Sequence, residues 1–408
     1  MTAWPSPDDF GTPPRPADHQ QWAESDRAGR PARLARLRGR FAEAGVDGYF
    51  GVRREHMRYL TGFTLGEGEE KVAGNSGQFL VGSEDVAVLA DSRYTIQVRR
   101  EAPEARLFEA YNDLPARWPE LMASIDARRV AVEAGFVSQA AWGRLAAAAP
   151  DVELVPVEGW IEADRATKEP AEVERIAAAC AVADRALATL LPEIRPGATE
   201  AELALRLEWL IRTGGAEALA FEVACLAGPE AALPHGAPGD RPIIEGSVLL
   251  FDFGAQVAGY RSDMTRTLFV GEPTARDLEV YETVARAQAA AIAAIETAVA
   301  LRRADGDLPT GRTIDGIARD VITAAGHGDH FGHGTGHGIG LATHEGPSLG
   351  RLAPETALPT PTVFSVEPGI YLEGEMGVRI EDLVVLDADA GRVERLTLFP
   401  REVLVVGG

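Results

Sequence analysis

Short apolar runs alternate with helical patterns over the first part of the chain, between residues 33 and 156. Runs of this length, bounded by turn-forming residues, are typical of buried strands. The predicted strands lie at residues 49–52, 78–81, 86–90 and 129–132. Because strands that alternate with helices are typical of α/β proteins, we predict an α/β domain at residues 32–160.

Longer helical patterns characterise the second part of the chain. Apolar residues recur with helical spacing at 170–191, 199–214, 274–300 and 313–325, with strands after the second and fourth helices. Proline near a helix start is favoured, and Pro170 has this position in the first helix. We therefore predict a second domain of mixed α+β type at residues 161–408, with residues 157–170 forming the joint.

The N-terminal residues 1–31 show no sustained hydrophobic period. They are rich in Pro, Asp, Gln and Arg, and we predict an extended or partly disordered arm. A basic amphipathic helix is predicted from about Arg33 to Ala44, ending at Gly45. Its arginines are interpreted as a solvated helix face rather than a site for an anionic partner.

Two aspartates lie at the ends of a predicted hairpin. Asp252 ends an apolar run, and Asp263 follows eleven residues later, before the strand that leads to residues 268–270. If residues 256–259 form the turn, Asp252 and Asp263 are directly opposite, with Cβ atoms roughly 4.5–5.5 Å apart. The hairpin would then present two carboxylates on one face.

A second hairpin near the C-terminus repeats this arrangement. Glu367 ends the run at 363–366, and Glu381 lies in the return strand. A turn centred near Gly374 would place the two glutamates opposite each other. Four ionised carboxylates side by side would repel and raise one another's pKa unless cations lie between them. The two hairpins therefore indicate a metal site.

Five of the eight histidines fall in one glycine-rich segment. They are His327, His330, His333, His337 and His344. Glycines around His333 and His337 let the backbone approach closely. Oxygen-rich sites with one imidazole suit Mn²⁺, Co²⁺, Fe²⁺ or Zn²⁺, and two such ions can share bridging carboxylates. A phosphate-binding loop is disfavoured because no Lys-Ser/Thr follows the glycines.

Each of these residues alone has an ordinary structural interpretation. An aspartate at a strand end is usually a turn or cap residue, and a single histidine is usually a structural or surface residue. Their occurrence together favours metal binding. The predicted metal ligands are Asp252, Asp263, His337, Glu367 and Glu381.

The segments around these residues resemble the Xaa-Pro peptidases, the aminopeptidase P and prolidase branch of the pita-bread metallopeptidases. They are Phe-Asp252-Phe-Gly, Gly-Tyr-Arg-Ser-Asp263-Met-Thr-Arg-Thr, Gly-His333-Gly-Thr-Gly-His337-Gly-Ile-Gly-Leu, Val-Glu367-Pro-Gly-Ile-Tyr and Val-Arg379-Ile-Glu381-Asp. The resemblance is strong over about residues 160–408 and extends weakly to about residue 35. It implies a creatinase/prolidase-like N-terminal domain, followed by a pita-bread domain with a curved, mainly antiparallel sheet and a dinuclear metal site.

The resemblance also implies roles for the metal ligands. Asp252 would hold one ion, His337 and Glu367 the other, and Asp263 and Glu381 would bridge both. Two divalent ions, most often Mn²⁺, would polarise the scissile carbonyl and supply a bridging hydroxide. Glu367 would carry the proton to the leaving nitrogen.

Further residues match those that contact substrate in this family. His235 and His344 resemble histidines that stabilise the tetrahedral intermediate, so the predicted catalytic set is His235, His344 and Glu367. His333 resembles the histidine that lines the proline pocket. The predicted substrate-binding residues are His235, His333 and Arg379, and Arg379 would also orient a bridging carboxylate.

The sequence specifies the length of the substrate peptide less clearly than it specifies the metal site. Prolidases of this group often carry an arginine shortly after the His-Glu pair, where it binds the free carboxylate of the dipeptide. Here the chain reads His344-Glu-Gly-Pro-Ser348-Leu-Gly-Arg351, so that arginine is absent unless Arg351 substitutes. We therefore expect an aminopeptidase P-like enzyme that acts on short peptides with proline second, with an Xaa-Pro dipeptidase as the alternative.

Three alternative functions fit the sequence less well. A methionyl aminopeptidase would not need the N-terminal domain. A creatinase-type amidinohydrolase matches in length and domain order, but it would have lost carboxylate ligands that are present here. A non-catalytic pita-bread binding protein would typically have lost ligands too.

Composition and charge narrow the set of partners. The net charge of −22 argues against nucleic acid or an anionic membrane as a partner. We expect no secretory signal and no apolar span of 18 residues. The two cysteines are expected to be thiols, which fits a cytoplasmic protein, and the resemblance implies a homodimer. The loop at residues 301–312 is longer than the family's usual connection.

Overall fold

The computed structural model describes residues 4–65, 76–110, 113–301 and 308–407. Residues 302–307, half of the loop predicted at 301–312, therefore lie outside the described residues. The chain divides into two compact units. One comprises residues 20–164, and the other comprises residues 1–19 and 165–408.

The elements between residues 16 and 166 form an α/β arrangement, as the apolar runs predicted. They are α1 (Pro16–Gly39), α2 (Phe41–Ala44), β1 (Gly48–Gly51), α3 (Arg54–Thr61), β2 (Gln78–Gly82), β3 (Val86–Ala90), α4 (Thr95–Glu101), β4 (Arg106–Glu109), α5 (Leu114–Ala123), β5 (Arg129–Glu133), α6 (Gln139–Ala148), β6 (Glu153–Val157) and α7 (Trp160–Ala166). The described strands form one mixed sheet in the order β4-β3-β2-β1-β5-β6. Its core includes Phe50 against Trp118, with ring centroids 4.9 Å apart.

Helix α1 occupies much of the segment predicted to be an extended arm, so that prediction is wrong for residues 16–31. The helix buries few apolar side chains, chiefly Trp22 and Leu37, and its sequence therefore lacks a clear amphipathic period. A polar contact helps to anchor it instead. The buried Arg33 donates to the carbonyl oxygen of Tyr59 at 3.1 Å, a long-range contact that local sequence patterns do not reveal.

The second unit contains four long helices, as predicted, and several small sheets. Its elements are α8 (Pro170–Leu190), α9 (Glu200–Thr213), β7 (Ala218–Leu219), β8 (Ala224–Ala227), β9 (Val248–Phe253), β10 (Ala255–Val257), β11 (Tyr260–Arg261), β12 (Met264–Val270), α10 (Ala275–Leu301), α11 (Gly311–Ala324), β13 (Gly336–Gly338), β14 (Glu345–Leu349), β15 (Thr362–Val366), β16 (Gly369–Leu372), β17 (Met376–Arg379), β18 (Asp382–Asp387), β19 (Arg392–Arg395) and β20 (Val405–Val406). Pro170 lies at the start of α8, as predicted, after a capping box of Glu169 and Glu172.

The strands of this unit pair mainly in antiparallel fashion, which confirms that part of the predicted fold. The described sheets have the orders β20-β12-β9-β8, β14-β13-β15-β18-β19, β11-β10-β7 and β16-β17. The one parallel pairing among them joins β12 to β20. Helices α10 and α11 pack on these strands through a shared apolar core that includes Ile295, Ile314 and Phe364.

Helix α10 is long and apolar enough to cross a bilayer, judged by length and composition alone. The expectation that the chain has no apolar span of 18 residues is therefore wrong for this helix. A helix in the core of a globular domain meets the same criteria, and α10 buries Val284, Ala287, Ala291 and Ile295 in the core of its own unit.

Both cysteines are free and buried, as predicted. Cys180 lies in α8 and Cys225 in β8. Burial in an apolar environment raises the pKa of both thiols well above the usual value. Because a thiol reacts as the thiolate, these cysteines are inert structural residues.

Candidate active site

One cavity of about 410 Å³ in the second unit contains all of the predicted site residues. They are Asp252, Asp263, His337, Glu367, Glu381, His235, His333, His344 and Arg379. The wall also includes Phe221, Pro234, Thr343 and Ser348. The two carboxylate hairpins and the glycine-rich segment therefore meet at one place, as their spacing predicted.

The first hairpin has a different register from the predicted one. Asp252 is paired with Thr265, and the tight turn is formed by Ala258 and Gly259, which both have positive φ. The prediction that Asp252 and Asp263 are directly opposite is wrong, because the turn is centred one residue later than expected. Asp263 lies directly before β12 and still lines the cavity.

The second hairpin has the predicted register. Val366 at the end of β15 pairs with Asp382 at the start of β18. In the same register, Gly369 at the start of β16 pairs with Arg379 at the end of β17. Glu367 and Glu381 lie opposite each other in the gap between these two ladders. The turn is centred at Gly374, which has a φ of 77°. This confirms the predicted facing pair of glutamates.

His337 lies in β13 beside these carboxylates. Its Nδ1 is 3.1 Å from the carbonyl oxygen of Gly338, which would accept a hydrogen bond from a protonated Nδ1. Nε2 is then free to bind a metal, and it lies 3.3 Å from Glu367 Oε1 and 3.7 Å from Asp263 Oδ2. One ligand atom each of Asp263, His337 and Glu381 lie within 4.8 Å of one another.

The protonation behaviour of the four carboxylates reflects their burial and mutual repulsion. Burial raises the pKa of Asp252. Burial and the neighbouring carboxylates raise the pKa of Asp263 and of Glu381 well above the usual values. Burial acts in the same direction on Glu367, but nearby His337, His333 and Arg379 outweigh it and lower the pKa of Glu367.

Two oxygens of this cluster are buried without a hydrogen-bond partner among the described residues. They are Oδ1 of Asp252 and Oε1 of Glu381. A buried carboxylate oxygen without a partner is costly, and divalent cations would satisfy it. Four carboxylates and one imidazole with Nε2 exposed to them therefore suit two divalent metal ions.

Thr265 and Ser365 orient the glutamates, and the sequence analysis did not identify them. The Thr265 hydroxyl donates to Glu381 Oε2 at 2.7 Å. The Ser365 hydroxyl donates to Glu367 Oε1 at 3.0 Å and accepts from the backbone N–H of His337. The polar Ser365 between the apolar residues Phe364 and Val366 was the available signal.

Arg379 links the carboxylate of Asp252 to Tyr371, a second kind of contact that the sequence analysis did not identify. Its guanidinium donates to Asp252, to the Thr265 hydroxyl at 2.8 Å and to the Tyr371 hydroxyl at 2.8 Å. Tyr371 is also 2.8 Å from Nε2 of His333. Burial lowers the pKa of His333, whose ring forms part of the cavity wall.

The remaining histidines divide into two groups. His344 lies next to His337, with ring centroids 4.3 Å apart, and burial lowers the pKa of His344. His235 is exposed on the cavity wall. His327 and His330 lie outside the cavity wall, with their rings tilted and their centroids 6.0 Å apart. Arg351 is exposed and also lies outside the wall as described.

Comparison with known proteins agrees with this geometry. Residues 174–388 match the profile of metallopeptidase family M24, and residues 33–167 match that of the creatinase/prolidase N-terminal domain. An Xaa-Pro dipeptidase from Pyrococcus furiosus is 38% identical over 252 residues, which are 62% of this chain and 69% of that protein.

Two solved structures resemble about nine tenths of the chain. An Xaa-Pro dipeptidase from Bacillus anthracis has a TM-score of 0.81 and 31% identity, covering 92% of this chain and 99% of its own. An X-Pro aminopeptidase from Thermotoga maritima has a TM-score of 0.77 and 33% identity, covering 89% and 98% respectively. The predicted two-domain architecture of the prolidase type is therefore confirmed.

Proposed function

This chain belongs to metallopeptidase family M24, and from that premise we propose that it removes the N-terminal residue from short peptides with proline in second position. The observation that carries the proposal is the single cavity in which four carboxylates and His337 converge. The relatives named Xaa-Pro dipeptidase and X-Pro aminopeptidase support proline specificity. The second candidate is an Xaa-Pro dipeptidase, which the names of several relatives favour.

The proposed metal ligands are the four carboxylates and one histidine that line the cavity. They are Asp252, Asp263, His337, Glu367 and Glu381, and they would hold two divalent ions, which we propose to be Mn²⁺. When bound, such ions polarise the scissile carbonyl and lower the pKa of bound water. Thr265 and Ser365 hold the two glutamates in place through their hydroxyl groups.

In this proposal, the ligand Glu367 also moves the proton, and the histidines around the ligands stabilise developing charge. Because its pKa is lowered, Glu367 is ionised and can accept a proton from the attacking water. It then delivers that proton to the leaving proline nitrogen, which departs poorly without it. His235 and His344 donate hydrogen bonds to the oxygen of the tetrahedral intermediate, and His333 lines the proline pocket.

The cationic side chains on the cavity wall indicate which peptide length the site favours. Arg379 is the only lysine or arginine on the wall as far as the structure describes it. Its guanidinium is already bound to Asp252, Thr265 and Tyr371. A dipeptide would bring a free carboxylate beside the proline without a cationic partner, so the cavity favours peptides that continue beyond proline.

Ser348 offers a way to test this preference. It lies in β14, paired with His337, and its side chain is exposed on the cavity wall. We expect the wild-type protein to cleave Ala-Pro-Ala and Ala-Pro-amide faster than Ala-Pro. We expect Ser348→Arg to raise kcat/KM for Ala-Pro about tenfold, since a hydrogen bond to a charged group contributes about 1.5–3 kcal/mol.

The matched control is Ser348→Gln, which has a similar reach without the charge. It should leave the rate on Ala-Pro unchanged, and neither variant should accelerate cleavage of Ala-Pro-amide. Products are identified by mass spectrometry. A wild-type enzyme that prefers Ala-Pro over both longer substrates would refute the aminopeptidase assignment and favour the dipeptidase.

We also propose a cytoplasmic homodimer. The free thiols of Cys180 and Cys225 suit a reducing compartment. The net charge of −22 would keep such an assembly soluble. The dimer itself is an expectation from the family resemblance.

A further inference from the structure

The hairpin that carries Glu367 and Glu381 is interrupted at these two residues. Strand pairing stops at Val366–Asp382 and resumes at Gly369–Arg379. In the gap, the backbone N–H of Glu367 donates to the carbonyl oxygen of Thr335 at 2.7 Å, and the backbone N–H of Glu381 donates to the carbonyl oxygen of Thr265 at 3.1 Å. The two strands therefore lose their mutual hydrogen bonds where the carboxylates must be held in place.

The side chain of Gln288 fills this gap. Gln288 lies on α10 and is fully buried. Its Nε2 donates to one carbonyl oxygen of each strand at the interruption, at 3.1 Å to Val366 and 3.2 Å to Ile380. Both of these residues are fully buried, so their carbonyl groups would otherwise face the core from which water is excluded.

The orientation of the Gln288 amide is itself defined by charged neighbours. Nε2 lies 3.1 Å from Oδ2 of Asp382, and Oε1 accepts from the guanidinium of Arg401 at 3.3 Å. Asp382 is fixed in turn by Arg266, at 2.7 Å. With an acceptor on one side and a donor on the other, the amide cannot rotate by 180° without losing both contacts.

We propose that Gln288 is a positioning residue that sets the separation and orientation of Glu367 and Glu381 for metal binding. It replaces the hydrogen bonds that the hairpin lacks, and it does so from a helix rather than from the sheet. The inference rests on the proposed metal centre. It assigns a role in the site to α10, a helix that contributes no residue to the cavity wall as described.

The test is Gln288→Met, which keeps the length of the side chain but removes the donors. The apoprotein should show faster hydrogen exchange in residues 362–372 and 376–387. The dissociation constant for Mn²⁺, measured by calorimetric titration, should rise about 10–100-fold, as is typical when a group that orients metal ligands is lost. KM for Ala-Pro-Ala at saturating Mn²⁺ should change less than kcat, because the substrate contacts are retained.

The matched control is Val299→Ala on the same helix, also buried and eleven residues further along. It should lower the melting temperature while leaving the Mn²⁺ dissociation constant within about twofold of wild type. A purely structural role for Gln288 predicts that the two variants behave alike. Equal effects of both variants on Mn²⁺ binding, or none from Gln288→Met, would overturn the proposal.

A second variant decides the matter if Gln288→Met does not fold. Arg401→Met removes the donor that orients the amide and lies outside the cavity wall, so it should weaken Mn²⁺ binding several-fold. Binding within twofold of wild type would overturn the proposal. Failure of the proposed function has a different signature: the wild-type protein would bind Mn²⁺ with this dependence on Gln288 but release no alanine from Ala-Pro-Ala.

Discussion

Asp263→Asn is expected to remove most of the bound metal and nearly all activity. Asp263 is buried, and its burial and the neighbouring charges of Glu381 and Asp252 raise its pKa. Asparagine keeps the size but removes the charge that would bridge both ions. Because two metal ions contribute several kcal/mol to catalysis and about 1.4 kcal/mol is tenfold in rate, kcat/KM should fall by about 10³-fold or more.

Metal content by mass spectrometry and kcat/KM on Ala-Pro-Ala measure both effects. The matched control is Asp184→Asn, another buried aspartate, which accepts from the backbone N–H of Leu398 at 2.7 Å and lies outside the cavity wall. Burial raises the pKa of Asp184 to about 7, so a neutral asparagine should be tolerated there with metal and activity retained. Full metal content in Asp263→Asn would contradict the proposed bridging role.

The histidines of the cavity should separate into a metal ligand and catalytic donors. His337→Ala should lower metal content, because its Nε2 faces Glu367 and Asp263. His235→Ala and His344→Ala should keep both ions and lose turnover by roughly 10²–10³-fold, the usual loss for one transition-state donor. Metal analysis and kcat measured at saturating Mn²⁺ distinguish the two classes.

His330→Ala is the control from the same cluster, since His330 is exposed and lies outside the cavity wall. It should retain both metal and turnover. If His235→Ala lost metal but kept normal turnover per bound ion, its role would be that of a ligand and the assignment would be wrong.

The two hairpins show what local pattern can predict. The second hairpin has Gly374 at its centre, where a positive φ is required, so its register was predictable from the sequence. The first hairpin turns at Ala258 and Gly259, and alanine rarely adopts positive φ. The predicted turn was therefore misplaced by one residue, and Asp252 was assigned the wrong partner.

Residues that act on the site from a distance were not predictable in this way. Gln288 lies on a helix whose apolar period predicts only packing, and it meets the hairpin through contacts 78 and 92 residues apart. In the sequence, Tyr371 has only the pattern of an ordinary strand residue. The structure shows that its hydroxyl contacts His333 and Arg379. Such contacts depend on tertiary packing, whereas the ligands themselves are revealed by their chemistry and spacing.

The most direct test of metal-dependent Xaa-Pro cleavage is product analysis before and after metal removal. Protein stripped by a chelator is incubated with Ala-Pro-Ala and Met-Ala-Ala, and Mn²⁺ is then titrated back while products are followed by mass spectrometry. We predict no cleavage by the stripped protein, and recovery of alanine release from Ala-Pro-Ala that saturates at two equivalents of Mn²⁺. Full activity in a rigorously metal-free preparation, or preferential release of methionine from Met-Ala-Ala, would contradict it.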